Sequence, residues 1–150
     1  MSDEFFIGLD FGTSGARISI INQKRELKYS NSVSYKYGFK NPISWINSSE
    51  KLLDSLPLAI KNNIVNLAIS GTSGTLTASN LRGDPLGEAI PYDLACNENR
   101  ILIESIAFGE NHLQTPYSSL AKALKLIDIY GKNILLRHQS DWITGWFLKD

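Results

Sequence analysis

The tetrapeptide Gly-Thr-Ser-Gly occurs twice in the chain, at Gly12–Gly15 and again at Gly71–Gly74. Each copy closes an apolar run. Phe5-Phe6-Ile7-Gly8-Leu9 leads through Asp10 into the first, and Ile64-Val65-Asn66-Leu67-Ala68-Ile69 leads through Ser70 into the second. Short apolar runs bounded by glycine turns read as strands, because a helix needs a longer periodic stretch. Two copies so far apart are no solenoid repeat. They call for two strand–turn–strand units, and if the leading strands lie side by side, both turns open at one sheet edge.

The rest of the chain fills in around these units. Ala16-Arg17-Ile18-Ser19-Ile20 alternates apolar and polar, as a half-buried strand does, and Asn22–Arg25 is a polar turn. Leu27 to Tyr37 reads as a third strand, so residues 5–37 are expected to form an antiparallel meander. Asn41 followed by Pro42 predicts a capped helix start, with Trp45, Leu52, Leu53 and Leu56 on one face and Pro57 as its end. The nearly continuous apolar run 64–69 predicts a parallel strand buried on both faces. Leu76–Leu81 is expected as the next strand, and Arg82-Gly83-Asp84-Pro85 as a turn. Residues 97–117 receive no assignment. Ser118 or Ser119 caps a helix carrying Leu120, Leu124, Ile127 and Tyr130, and Gly131 ends it. Ile134–Leu136 is expected as a strand, with Ser140-Asp141 capping a last helix. The order predicts an α/β layered fold.

Composition bounds the function. A chain of 150 residues predicts one domain and buries roughly 70% of its unfolded surface, enough for a core. Hydrophobic residues are 43% of it, and 15 basic residues balance 15 acidic ones. Zero net charge argues against a nucleic-acid partner, and with that hydrophobicity it argues against disorder. A single cysteine, Cys96, excludes an internal disulfide and reads as an idle buried thiol. A cysteine-based zinc site would need partners the chain lacks, and its two histidines, His112 and His138, stand far apart in sequence. The start, Met1-Ser2-Asp3-Glu4, is acidic where a signal peptide is basic, and no apolar run spans a bilayer. The expectation is a cytoplasmic domain without a membrane partner.

The chemistry sits in the first turn. Gly and small hydroxyl residues between two strands let backbone N–H groups converge on an anion. Thr13 and Ser14 add hydroxyl donors, while Gly12 and Gly15 leave room for close approach. Asp10 brings a carboxylate beside this cradle, and Mg²⁺ bridges carboxylates, water and phosphate oxygens. Two such turns at one cleft suit a phosphorylated ligand and a polar, uncharged one. On the residues alone, a plain hairpin with Asp10 as an incidental strand end stays open for the first turn, and coincidence for the second. Neither Gly-x-x-x-x-Gly-Lys-Ser/Thr nor Gly-x-Gly-x-x-Gly is present, which removes the P-loop and the dinucleotide fingerprint.

The run from Ile7 to Arg17 resembles the opening of the FGGY carbohydrate kinases, within the actin, Hsp70 and hexokinase ATPase superfamily. Leu67-Ala68-Ile69-Ser70-Gly71-Thr72-Ser73-Gly74-Thr75 is similar to the sugar-side loop of xylulose and ribulose kinases, especially the cyanobacterial and plant-plastid type. Trp45, Tyr92 with Ala95 and Cys96, Ser118–Lys122 and Asp141-Trp142 follow in family order, so the resemblance covers essentially the whole chain.

That resemblance implies a ribonuclease H-like α/β domain: a three-stranded antiparallel meander continued by parallel strands with flanking helices, incomplete at its C-terminus. It implies ATP and Mg²⁺, with Asp10 holding the metal and approaching the sugar. Gly12, Thr13, Ser14 and Gly15 would cradle the β- and γ-phosphates, with Arg17 near the same turn. Thr72 and Ser73 would line a ketose pocket with Tyr92 and Asp93. Many relatives carry Trp, then Asn-Asp with a nearby Arg, at those last two positions, a departure that favours D-ribulose over D-xylulose. Lys122 reads as a solvated helix residue, Asp141 as a helix cap, and Trp142 with Trp146 as core.

Residues 1–150 are thus expected to be most of an N-terminal kinase domain. The second domain and the catalytic aspartate lie beyond residue 150, so no catalytic base is assigned here. The chain alone is expected to be inactive toward a ketopentose hydroxyl, and to pair as a homodimer or swapped assembly through exposed strand edges. The competing class is a non-catalytic sugar- or phosphate-sensing module, or an actin-like assembly module.

Overall fold

The computed structural model describes residues 4–149. Met1-Ser2-Asp3, part of the acidic start, and Asp150 lie outside the described residues. Where length predicts one domain, the chain divides into two compact units, Met1–Gly71 and Thr72–Asp150.

The first unit is built on strands β1 (Phe5–Phe11), β2 (Gly15–Asn22), β3 (Leu27–Ser34) and β4 (Ile64–Gly71), in the sheet order β3-β2-β1-β4. The first three form the expected antiparallel meander. Period-two alternation puts Phe5, Ile7, Leu9 and Phe11 of β1, with Ala16, Ile18 and Ile20 of β2, into the core. Each large side chain so buried contributes about 1.5–3 kcal/mol. Gly8, Asp10, Arg17 and Ser19 are left on the exposed face. Helix α1 (Pro42–Asp54) packs on β2 and β3. Its start is the expected one: the Asn41 side chain accepts from the Ile43 N–H at 3.0 Å. Trp45 and Leu52 are fully buried, and the Trp45 indole donates to the Phe39 carbonyl at 2.8 Å. Beyond Pro57 comes a short α2 (Leu58–Lys61).

Strand β4 runs parallel to β1, as expected, but is not buried on both faces: Val65 is 46% and Leu67 37% exposed. The reason is position. An apolar parallel strand is covered on both faces only where elements pack over it; β4 is a sheet edge, and α1 lies over β2 and β3.

The second unit departs further. Strand β5 (Leu76–Ser79) ends two residues early and pairs antiparallel with β6 (Leu135–His138) in a separate two-stranded sheet. The expected continuation by several parallel strands therefore reduces to β4 alone. Helices α3 (Arg100–Ile106), in the stretch left unassigned, and α4 (Ser119–Tyr130) pack together, and α4 also packs on β5. The caps of α4 are the expected ones: Ser118 accepts from the Ala121 N–H at 3.1 Å, and Gly131 ends the helix at φ +81°. Its fully buried residues are Ala121, Lys122 and Leu126, while Leu120, Leu124 and Tyr130 pack at the core margin.

Helix α5 (Gln139–Leu148) starts ahead of Ser140-Asp141. Its N-cap is His138, without a side-chain cap bond, because β6 runs directly into the helix and leaves no loop for a capping side chain. Trp142 is core, but Trp146 is 37% exposed. Its ring meets Phe147 edge-on. Cys96 is buried, and burial pushes its thiol up. Among the described residues no helix is long and apolar enough to cross a membrane.

Candidate functional site

The two strands that lead into the glycine turns are parallel neighbours, and they end level: Asp10 stands opposite Ser70, and Phe11 opposite Gly71. The first turn is a tight hairpin. Gly12 N–H donates to the Gly15 carbonyl at 3.0 Å, which puts Thr13 and Ser14 at the tip. Tyr35, just past β3, braces it from behind: its hydroxyl donates to the Gly12 carbonyl at 2.9 Å, and its N–H to the Ser14 carbonyl at 3.3 Å. Two of the turn's acceptors are thereby occupied. Neither amide nor hydroxyl of Thr13 and Ser14 has a partner among the described residues, and both residues are exposed. Four unspent donors on a braced tip suit an anion.

Asp10 and Arg17 face each other across the β1–β2 pair and form an ion pair at 3.3 Å, both side chains more than half exposed. Cross-strand opposition brings such side chains together. The contact uses one carboxylate oxygen of Asp10, Oδ2, and leaves Oδ1 for a ligand. Among the described residues no group of three or more His, Cys, Asp or Glu stands together to hold a metal. A cation at Asp10 therefore needs phosphate oxygens and water to complete its shell, the arrangement Mg²⁺ adopts. The donor set fits it on those terms. A cavity of about 140 Å³ lies against the turn, lined by Ser14, Gly15, Arg17 and Ser32 among others.

The second turn has a different logic. Thr72 is spent inward: its N–H and hydroxyl both donate to Gln139 Oε1 at 2.8 Å, and its oxygen meets Thr75 Oγ1 at 2.7 Å. Gln139 is fully buried at the start of α5, and its Nε2 has no partner among the described residues. Ser73 is exposed, with no partner for its hydroxyl among the described residues. Of the two residues predicted to line a pocket here, Ser73 is the one with a free hydroxyl. Gly74 follows at φ +76°, in the left-handed region that favours glycine, and a Cβ there would meet Tyr92 Cβ at 3.5 Å. Tyr92 is 46% exposed, and Asp93 beside it is also exposed. The second unit thus brings Ser73, Gly74, Tyr92 and Asp93 into one neighbourhood.

Lys122 is not a solvated helix residue. It is fully buried, and its Nζ donates to the carbonyls of Tyr117 at 2.7 Å and Tyr92 at 3.1 Å. Burial pushes its ammonium below the usual lysine range, and the nearby Cys96 and Asp93 oppose that. The sequence carried one usable signal: Lys122 and Leu126 are four residues apart and share a helix face. Gln139 and Tyr35, the residues that lock the two turns, have no such signal, because their partners are distant in sequence.

No protein-family model matches the chain. Among solved structures, a xylulose kinase from Brucella ovis matches with a TM-score of 0.78 at 18% identity, over 95% of this chain and 34% of that one. A xylulose kinase from Rhodospirillum rubrum matches with a TM-score of 0.76 at 17% identity, over 95% and 33%. A glycerol kinase from Plasmodium falciparum, solved with ADP, gives 0.74 at 15% identity, over 95% and 34%. The likeness is one of fold: a mixed α/β chain with a sheet and flanking helices, shared with xylulose kinases and other carbohydrate kinases. This chain spans about one third of the length of those structures.

Proposed function

We propose that this chain is the phosphate- and sugar-side portion of an ATP-dependent carbohydrate kinase of the FGGY type, with a ribonuclease H-like fold, acting on the terminal hydroxyl of a ketopentose such as D-ribulose or D-xylulose. The observation that carries this reading is the tip of the first turn: four unspent donors at Thr13 and Ser14, beside the half-free Asp10 carboxylate. An assembly ATPase would share that cradle; the second Gly-Thr-Ser-Gly turn, with its exposed Ser73, favours the kinase, because such a module has no need of a ketose pocket there.

In this reading the residues divide the work. The amides and hydroxyls of Thr13 and Ser14, between Gly12 and Gly15, hold the β- and γ-phosphates. Arg17 orients Asp10 and adds positive charge at the same edge. Asp10 holds Mg²⁺, which when bound supplies charge neutralisation at the phosphate oxygens. In phosphoryl transfer nearly all the catalysis is positioning and charge stabilisation, so a rigid, pre-oriented turn is what the chemistry asks of this portion. Ser73, with Tyr92 and Asp93, meets the sugar hydroxyls. The general base and the adenosine contacts come from outside these residues. A positioned base is worth roughly 10²–10⁴ in rate, so the 150-residue chain alone is expected to show no ketose-dependent ADP release.

The experiment is a coupled ADP-release assay with D-ribulose and D-xylulose on the two-domain kinase carrying this chain. Ser73→Ala removes one hydrogen bond, so the KM for ketose should rise about three- to tenfold, with the KM for ATP changed less than about twofold. Equal shifts in both KM values would reverse the division of labour between the turns. No ketose-dependent release in the wild type would contradict the proposed function itself.

A further inference from the structure

The ammonium of Lys122 sits in the core of the second unit with no carboxylate in bonding contact among the described residues. A buried charge is retained only where hydrogen bonds compensate its lost hydration. Here both compensating acceptors are backbone carbonyls, from Tyr92 and Tyr117. A methionine or leucine would fill the same volume without that cost, so the lysine's contribution lies in what it holds. It holds one end of the Tyr92-Asp93 segment. On its other side is the second glycine turn: a Cβ on Gly74 would lie 3.8 Å from Lys122 Nζ and 3.5 Å from Tyr92 Cβ. The glycine turn, Tyr92 and the ammonium are thus close neighbours: a side chain on Gly74 would touch both Tyr92 and Lys122.

We propose that Lys122 is a positioning residue: by gripping the Tyr92 carbonyl against Gly74 it fixes Ser73, Tyr92 and Asp93 relative to one another, and so sets the affinity for the polyhydroxylated substrate. The assignment of that surface to a sugar rests on the kinase reading above; the mechanical role of the lysine does not. Lys122 itself, fully buried, never touches the ligand. The α4 helix supplies a rigid mount for it, because Ser118 caps the helix one turn earlier, and Tyr117, the other acceptor, lies just ahead of that cap.

Two readouts test this. The first is amide hydrogen exchange on the chain, comparing wild type with Lys122→Met, which keeps the stem and removes the donors, and with Lys122→Arg, which keeps donors for the same carbonyls. Lys122→Met should speed exchange at Leu76, Ile90 and Leu94, the hydrogen-bonded amides that flank the two segments, at least about tenfold while leaving β1 and β2 unchanged, with Lys122→Arg within about threefold of wild type. The second is kinetic: in the two-domain kinase, Lys122→Met should raise the KM for D-ribulose or D-xylulose about tenfold, with the KM for ATP unchanged. Unchanged exchange in a folded Lys122→Met chain overturns the proposal. So does a Lys122→Met chain that fails to fold while Lys122→Arg folds with both segments fast, because the lysine is then a requirement of the whole unit and not of the turn. If the wild type shows no ketose turnover, the kinase reading fails and the exchange result alone decides the role of Lys122.

Discussion

Replacing Asp10 by asparagine should lower turnover of the proposed two-domain kinase about 100- to 1000-fold, with little change in folding. The substitution keeps the side-chain shape and removes the charge at the β1 end. Preorganised charge aimed at a transferring phosphoryl group is worth several kcal/mol in a water-excluded site, and loss of a single such group costs about 10²–10³ in rate. Stability responds far less. The Asp10–Arg17 pair is exposed on both sides, and exposed pairs contribute about 0–1 kcal/mol. Chemical denaturation of Asp10→Asn should therefore fall within about 1 kcal/mol of wild type while the steady-state rate collapses. A variant that keeps its rate, or loses it only through unfolding, removes Asp10 from the chemistry.

Gly15→Ala should do the reverse and damage the fold itself. A Cβ on Gly15 would lie 2.1 Å from the Val33 carbonyl oxygen and 3.0 Å from the Ser34 Cα. Both are backbone atoms of β3, so no side chain can swing aside; the β2–β3 pairing has to open where Gly15 faces Ser34. Forced overpacking of this kind costs about 3 kcal/mol or more. For a chain of this size that is a fall of about 6–12 °C in Tm. Gly12→Ala is the control. Its Cβ would meet nothing closer than the Gly15 carbonyl oxygen at 3.7 Å, so Tm should stay within about 3 °C, and the effect should show as weaker phosphate binding. The two glycines of one turn serve different ends: Gly15 lets β3 close on the hairpin, while Gly12 has room for a Cβ at ordinary contact distance. Equal losses of Tm in the two variants would contradict that division.

The sequence pattern carried the first unit further than the second, and the physics says why. In β1 and β2 the side chains alternate between core and solvent, and neighbours in sequence are neighbours in the sheet, so period and turn chemistry locate the meander, although β3 stops at Ser34, three residues short of the expected Tyr37. The Asn41-Pro42 and Ser118 helix starts were legible for the same reason: a cap is a local hydrogen bond. What failed was non-local. The apolar run of β4 looks like a strand buried on both faces, but burial depends on which elements pack over it, and no local pattern records that. The pairing of β5 with β6 spans some 60 residues of intervening chain. Lys122 and Gln139 defeat composition-based reading outright, since their residue types predict exposure, yet each is buried with a partner distant in sequence, Tyr92 and Thr72 respectively. At the site, the turns and Asp10 could be read from the letters. The residues that brace them, Tyr35 and Gln139, could not.

The most direct test of the account is a titration of the ¹⁵N-labelled 150-residue chain with ATP and Mg²⁺, followed by amide NMR shifts. The amides of Thr13 and Ser14 should shift first and furthest, with a Kd no tighter than about 1 mM because the adenosine side is not held. Asp10→Asn should weaken the Mg²⁺-dependent part of the shift, and Ser73 should stay unmoved until D-ribulose or D-xylulose is added. Shifts that spare Thr13 and Ser14 at 10 mM nucleotide, or that centre on Ser73 in the absence of sugar, would contradict the account.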